Sequence, residues 1–156
     1  MENDPLNFLL LLYLSRYMLY QGDEIKNLIP QREPIIMVDR FFKVEGEVAE
    51  TGLTITEKNF FVEEDGKIAE SGLIEHIAQS ASAFAGHKAI AEGLPAPIGY
   101  IGEVKKFRCY MRPSVGDELH TTIEMGAEVN GVSLLTGKTM IGDIVAVETQ
   151  MKIFVE

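Results

Sequence analysis

The chain is poor in cysteine, histidine and basic residues, and it has no long apolar run. Cys109 is the only cysteine, so no disulfide can close within the chain, and a reducing compartment, the cytoplasm, fits it best. Three histidines and one cysteine, none at close ligand spacing, argue against a structural zinc site; no metal or cofactor is implied. Fourteen basic residues stand against twenty-four acidic ones, a net charge of −10. Such a field repels a nucleic-acid backbone and argues against nucleic acid as a partner. The apolar run Phe8–Leu14, extended by Tyr17–Tyr20, is too short for a bilayer, which takes about 20 apolar residues. Glu2 and Asp4 precede it where a secretory signal carries lysine or arginine, and no small-residue cleavage pattern follows. The run reads instead as an amphipathic helix packed on the domain or on a partner subunit, or as an extension upstream of a start near Met18.

What is present suits one folded domain. The chain has 156 residues, 46% hydrophobic and 24% charged. Residues 1–22 read as the apolar extension and 23–156 as the domain. A short helix over Asp23–Ile29 is stopped by Pro30, and Gln31–Pro34 forms a turn. Ile35–Val38 is a buried apolar run. Phe41–Val48 and Glu50–Thr56 read as strands, with the alternation broken at Gly52. A loop from Asn59 to Glu70 carries the turn signal Glu63-Glu64-Asp65-Gly66.

From Ser71 to Glu92 apolar residues recur at helical spacing, with Gly93 and Pro95 ending the helix. It is rich in alanine, serine and glycine, which let another backbone approach closely. Four strands follow: Ile98–Met111, Glu118–Val129, Val132–Ile141 and Ile144–Val155, with Asn130-Gly131 as a two-residue hairpin turn. The order predicts an α+β fold, a curved antiparallel sheet wrapped round one long helix, with the last four strands as a meander. Exposed strand edges predict a dimer.

Few residues can carry chemistry. Glu75 lies one turn into the small-residue helix. A carboxylate there is costly to bury without a job or a partner, which points to general acid or base work; alternatively it favours the positive helix end and faces water. Gly72, at the helix start, could offer a backbone N–H to a carbonyl oxygen, or belong to an ordinary helix start capped by Ser71. Gln79 shares a face with Glu75 and could orient a hydroxyl or water beside it, or bond within the core. His76 is turned by about 100° from Glu75 and should face another neighbour, such as a dimer partner. His87, about 18 Å farther along the helix, cannot join Glu75, and His120 reads as a surface residue. Lys106, Arg108 and Arg112 have even spacing on one strand. With Lys105 and Lys88 they could dock an acidic carrier protein or a phosphate, or form a solvated outer face.

Together these segments resemble the hotdog-fold 3-hydroxyacyl-(acyl carrier protein) dehydratases over residues 24 to 156. Ile29-Pro30-Gln31-Arg32-Glu33-Pro34-Ile35-Ile36-Met37-Val38-Asp39-Arg40 is similar to that family's opening motif, Leu-Pro-His-Arg-x-Pro-hydrophobic-Val-Asp-Arg. Asn59-Phe60-Phe61 resembles the start of its active-site loop, Glu75-His76-Ile77-Ala78-Gln79 its central helix, and Phe107–Gly116 its strand ending in Arg-Pro. The resemblance implies a thioester site at a dimer interface. There a loop histidine and the helix glutamate of the other subunit move the protons of water loss, and a helix-start N–H holds the thioester carbonyl.

Glu75 carries over as the carboxylate; Gly72 sits closer to it than the family glycine does. The loop departs from the pattern: Val62–Glu70 is shorter and holds no histidine, with Glu64 nearest in position. Losing a general base typically costs about 10²–10⁴-fold in rate. Histidine-lacking relatives of this kind resemble those of aryl-polyene or flexirubin-type pigment pathways. Three readings therefore stand. The chain is a cytoplasmic dehydratase-like protein for carrier-protein or coenzyme A 3-hydroxyacyl thioesters, in fatty-acid or polyene-type biosynthesis. It is a hotdog thioesterase in which Glu75 activates water. Or it is a non-catalytic partner subunit of an active homologue. A homodimer or a heterodimer with a homologous dehydratase fits.

Overall fold

The computed structural model describes residues 18–155 together with Pro5, Leu6 and Leu9. The run Phe8–Leu14, expected as a packed helix, lies outside the described residues except for Leu9, which is helical and exposed. Chain order is β1 (Tyr20–Gln21), a 3-10 helix (Gly22–Asn27), β2 (Arg40–Glu45), β3 (Val48–Thr54), α1 (Glu70–Ala91), β4 (Gly99–Cys109), β5 (Glu118–Val129), β6 (Val132–Ile141) and β7 (Ile144–Val155). The seven strands form one sheet in the order β1-β2-β3-β5-β6-β7-β4, antiparallel throughout. One long helix on such a sheet is the hotdog arrangement.

Two strand expectations need correcting. The four C-terminal strands are not a plain meander. β5, β6 and β7 are consecutive, but among the described residues β4 pairs only with β7 and takes the sheet edge. The chain reverses between β2 and β3 at Gly46, whose φ of 59 suits glycine, so the first strand ends at Glu45 and not at Val48. Gly52 stays inside β3, where an added Cβ would come 2.9 Å from Phe42. The glycine there makes room for a ring and does not end a strand.

α1 is apolar on most of its circumference, so it can bury all round only where a sheet surrounds it. It contacts β3, β4, β5 and β6. Leu73, Ile77, Ala81 and Phe84 join Leu53, Leu119, Ile123, Leu135 and Met151 in one buried core. Each large aliphatic side chain in it contributes about 1.5–3 kcal/mol. Small residues set the spacing: Ile77 packs on Gly137 of β6, where a Cβ would stand 2.7 Å from it, and Leu28 backbone presses on Gly86.

Candidate active site

Glu75 and Gln79 are one turn apart on α1, and Gln79 is fixed from three directions. Its Oε1 accepts from the Met37 N–H at 2.6 Å, and its Nε2 donates to the Ile35 carbonyl at 2.8 Å. The same Nε2 lies 3.5 Å from Glu75 Oε2. The run Ile35–Val38, buried at Met37 and Val38, thus locks an amide that steadies the carboxylate. Glu75 itself lines a cavity of about 210 Å³ with Ala78, Ala81, Ala85, Met125 and Ile153. Ala81, Ala85, Pro97 and Met125 also border a larger open groove of about 1140 Å³, so apolar walls continue away from the carboxylate.

His76 faces a different neighbour from Glu75, as the helix rotation suggested, but that neighbour is the protein's own core, where the ring is fully buried. Its Nδ1 is 2.6 Å from the Met37 carbonyl and its Nε2 2.6 Å from Thr121 Oγ1, which meets Thr139 Oγ1 at 2.7 Å. A carbonyl only accepts, so Nδ1 carries the proton and Nε2 accepts from Thr121. Burial lowers its pKa from 6.5 to about 4, keeping the ring neutral. His76 is therefore a core residue, closed off from any substrate or partner subunit.

Gly72 is also corrected. Its N–H donates to the Ala69 carbonyl at 2.9 Å, so it is spent before it could hold an oxyanion. Ala69, not Ser71, is the N-cap, and no side chain caps the helix. Glycine is needed at 72 for packing, since a Cβ would stand 2.6 Å from Phe61 Cβ. Glu64 is exposed in the Glu63–Gly66 turn and does not line the Glu75 cavity.

The basic group divides. β4 ends at Cys109, and a bulge between Lys105 and Arg108 breaks the even spacing. Lys106 and Arg108 line a recess of about 320 Å³ together with Lys138 and Glu148. Lys105 is half-buried. Arg112 turns to the loop, meeting Asp65 at 2.7 Å and Glu63 at 3.1 Å and donating to the Ile68 carbonyl at 3.0 Å. Its guanidinium holds the Asp65 carboxyl below the usual range. Arg112 is a loop clamp and not part of one docking face; Lys88 is elsewhere, paired with Glu47 at 2.7 Å.

The three histidines all lie off the Glu75 cavity. His87 sits 3.4 Å from the Tyr20 hydroxyl beside the Phe41 ring, and His120 stacks on Phe42 at 4.8 Å and meets Glu50 at 2.8 Å. Sequence reasoning missed two residues that do line the cavity, Gln31 and Ser82. Ser82 follows Glu75 by seven positions, a same-face spacing that could have found it. Gln31 stands where the family's opening motif has histidine, a departure that could have drawn attention to it.

Comparison with known proteins adds the following. Residues 23–156 match the family model described as ApeP-like, ApeP dehydratase. The 3-hydroxyacyl-[acyl-carrier-protein] dehydratase FabZ of Lactiplantibacillus plantarum is 30% identical over 142 residues, 86% of this chain and 93% of its own. Among solved structures, the dehydratase heterocomplex ApeI:P from Xenorhabdus doucetiae matches with a TM-score of 0.79 at 14% identity, over 85% of this chain and 90% of that one. A hypothetical thioesterase with coenzyme A from Streptococcus pneumoniae matches with a TM-score of 0.58 at 11% identity, over 74% and 84%. At such identities the two structures share the fold.

Proposed function

The chain belongs to the ApeP-like dehydratase family, and on that premise we propose that it is the carboxylate-bearing subunit of a 3-hydroxyacyl thioester dehydratase whose histidine comes from a homologous partner chain. One observation carries this reading: Glu75 faces an apolar cavity, while His76, His87 and His120 all lie elsewhere. A second copy of this chain brings only the same three histidines. A homologue with a loop histidine brings the base that is lacking here.

Water loss then divides between the subunits. The partner imidazole takes the C2 proton of the thioester. The C3–O bond breaks as the Glu75 carboxyl gives its proton to the departing hydroxyl, leaving the enoyl thioester and water. Gln79 keeps the carboxyl in place, and the alanine-lined cavity takes the acyl chain. β4, with a free edge, is the strand offered to the partner, and Lys106 and Arg108 offer positive charge to a carrier protein.

The test is a continuous ultraviolet assay of enoyl formation from 3-hydroxyacyl carrier-protein thioesters. The purified chain alone should be nearly silent, and adding a histidine-bearing homologue should switch activity on. Glu75→Gln in that mixture should lower turnover by about 10²–10⁴-fold. Equal activity without the homologue, or full activity in the variant, would overturn the reading. Thiol release from saturated acyl thioesters would mark hydrolysis instead.

A further inference from the structure

Met37 is tied to α1 at both of its main-chain polar groups. Residues 36–39 belong to no strand, so their donors and acceptors need partners from elsewhere. The Met37 carbonyl accepts from His76 Nδ1 at 2.6 Å, and the Met37 N–H donates to Gln79 Oε1 at 2.6 Å. His76 and Gln79 are three positions apart, neighbours on the helix surface. Met37, His76 and Gln79 are all fully buried, so bulk water cannot stand in for either bond.

These bonds decide which way round the Gln79 amide lies. Its oxygen faces the Met37 N–H, because two donors cannot bond each other. Its nitrogen then points the other way, where it donates to the Ile35 carbonyl at 2.8 Å and lies 3.5 Å from Glu75 Oε2. A carboxylic acid keeps its proton on the oxygen that receives no donor. Gln79 thereby assigns the Glu75 proton to Oε1. Turned over, the amide would put its oxygen against Oε2 and draw that proton to itself, away from the substrate.

Met37 is only as well placed as the bond that holds its carbonyl, and that bond comes from His76. We propose that His76 is a positioning residue for the Glu75 acid: it fixes Met37, Met37 fixes the Gln79 amide, and the amide fixes the oxygen of Glu75 that carries the proton. His76 itself touches no substrate. Thr121 meets the other ring nitrogen at 2.6 Å, so the two ends of the imidazole have different roles, Nε2 in the core and Nδ1 toward the acid. The inference rests on the reading of Glu75 as the group that protonates the departing hydroxyl.

Two substitutions separate those ends. His76→Asn sets an amide nitrogen where Nδ1 stands and gives up Thr121; His76→Gln reaches the place of Nε2 and gives up Met37. Both are measured in the enoyl assay, in the assembly with the histidine-bearing homologue, with urea unfolding to show that each is folded. His76→Gln should lower kcat by about 10²-fold, the scale of a small misplacement of a catalytic group. KM should stay within about twofold of the parent, because the proton is given up only in the transition state. His76→Asn should keep kcat within about threefold of the parent. Where a chain does not fold, His76→Leu replaces His76→Gln and Thr121→Val replaces His76→Asn, with the same expectations. Equal kcat in the two kinds of variant, or a loss confined to KM, would overturn the inference and leave His76 a packing residue. An unaltered assembly that forms no enoyl product would overturn the dehydratase reading, and the inference with it.

Discussion

On one side of α1, His76 and Ser80 are buried and every polar contact closes on the protein itself: Met37, Thr51 and Thr121 take up the bonds. On the other side, Glu75 and Ser82 border open space among alanines, and Ser82 Oγ has no hydrogen-bond partner among the described residues. The two sides share one backbone and are only one residue apart at Glu75 and His76. The packed side fixes the helix against the sheet, and that fixity lets the open side hold a carboxylate against an apolar wall. Stability should therefore be concentrated on the first side and chemistry on the second.

The strongest way to break this comparison is His76→Ala. It removes a buried ring and strands the Met37 carbonyl and Thr121, so urea unfolding should show a loss of about 3–5 kcal/mol. A loss under 1 kcal/mol would mean that the buried chain of bonds does not hold the helix.

Acid should act through the same residue. The folded-state pKa of His76 is depressed to about 4 from an ordinary 6.5. The unfolded chain therefore binds the extra proton first as pH falls. The stability tied to the neutral ring is fully present above about pH 6.5 and is lost as pH drops towards 4, some 3 kcal/mol in all. Unfolding free energies measured from pH 8 to pH 4 should show that slope, and His76→Asn should flatten it.

Gly137→Ala sharpens the comparison from the sheet side. Its Cβ would stand 2.7 Å from Ile77 Cγ2, and pushing the helix off β6 should cost about 1–3 kcal/mol in thermal unfolding. The smallest effect belongs to the open side. Glu75→Gln, expected to lower turnover by about 10²–10⁴-fold, should leave the unfolding free energy within about 0.5 kcal/mol of the parent.

Much of this scaffold could be read from the residues in order. The helix stands out because apolar positions recur at its period from 71 to 92 and Gly93 and Pro95 stop it; it runs from Glu70 to Ala91. Asn130-Gly131 announces the β5–β6 turn, and both residues take positive φ there, 54 and 78. Contacts between distant segments were not legible. No periodicity says that β4 skips β5 and β6 to pair with β7. His76 owes its burial to Met37 and Thr121, 39 and 45 residues away, so helix rotation alone pointed it at a partner. Arg112 was grouped with Arg108 because spacing counts residues and not bulges. Of the candidate site, Glu75 and Gln79 were legible as a same-face pair. Gln31 was not, because its place at the cavity depends on how a loop far from α1 in sequence folds back on it.

The position of β4 has a consequence for how the molecule is made. During synthesis this strand emerges well before its only neighbour, β7, exists. At ribosomal rates the interval is on the order of seconds. Throughout it, residues 99–109 present bare backbone and the side chains of Tyr100 and Ile101 to whatever lies nearby. Nascent chains of this protein are thus most prone to aggregate, or to be captured by an already finished subunit, in that window.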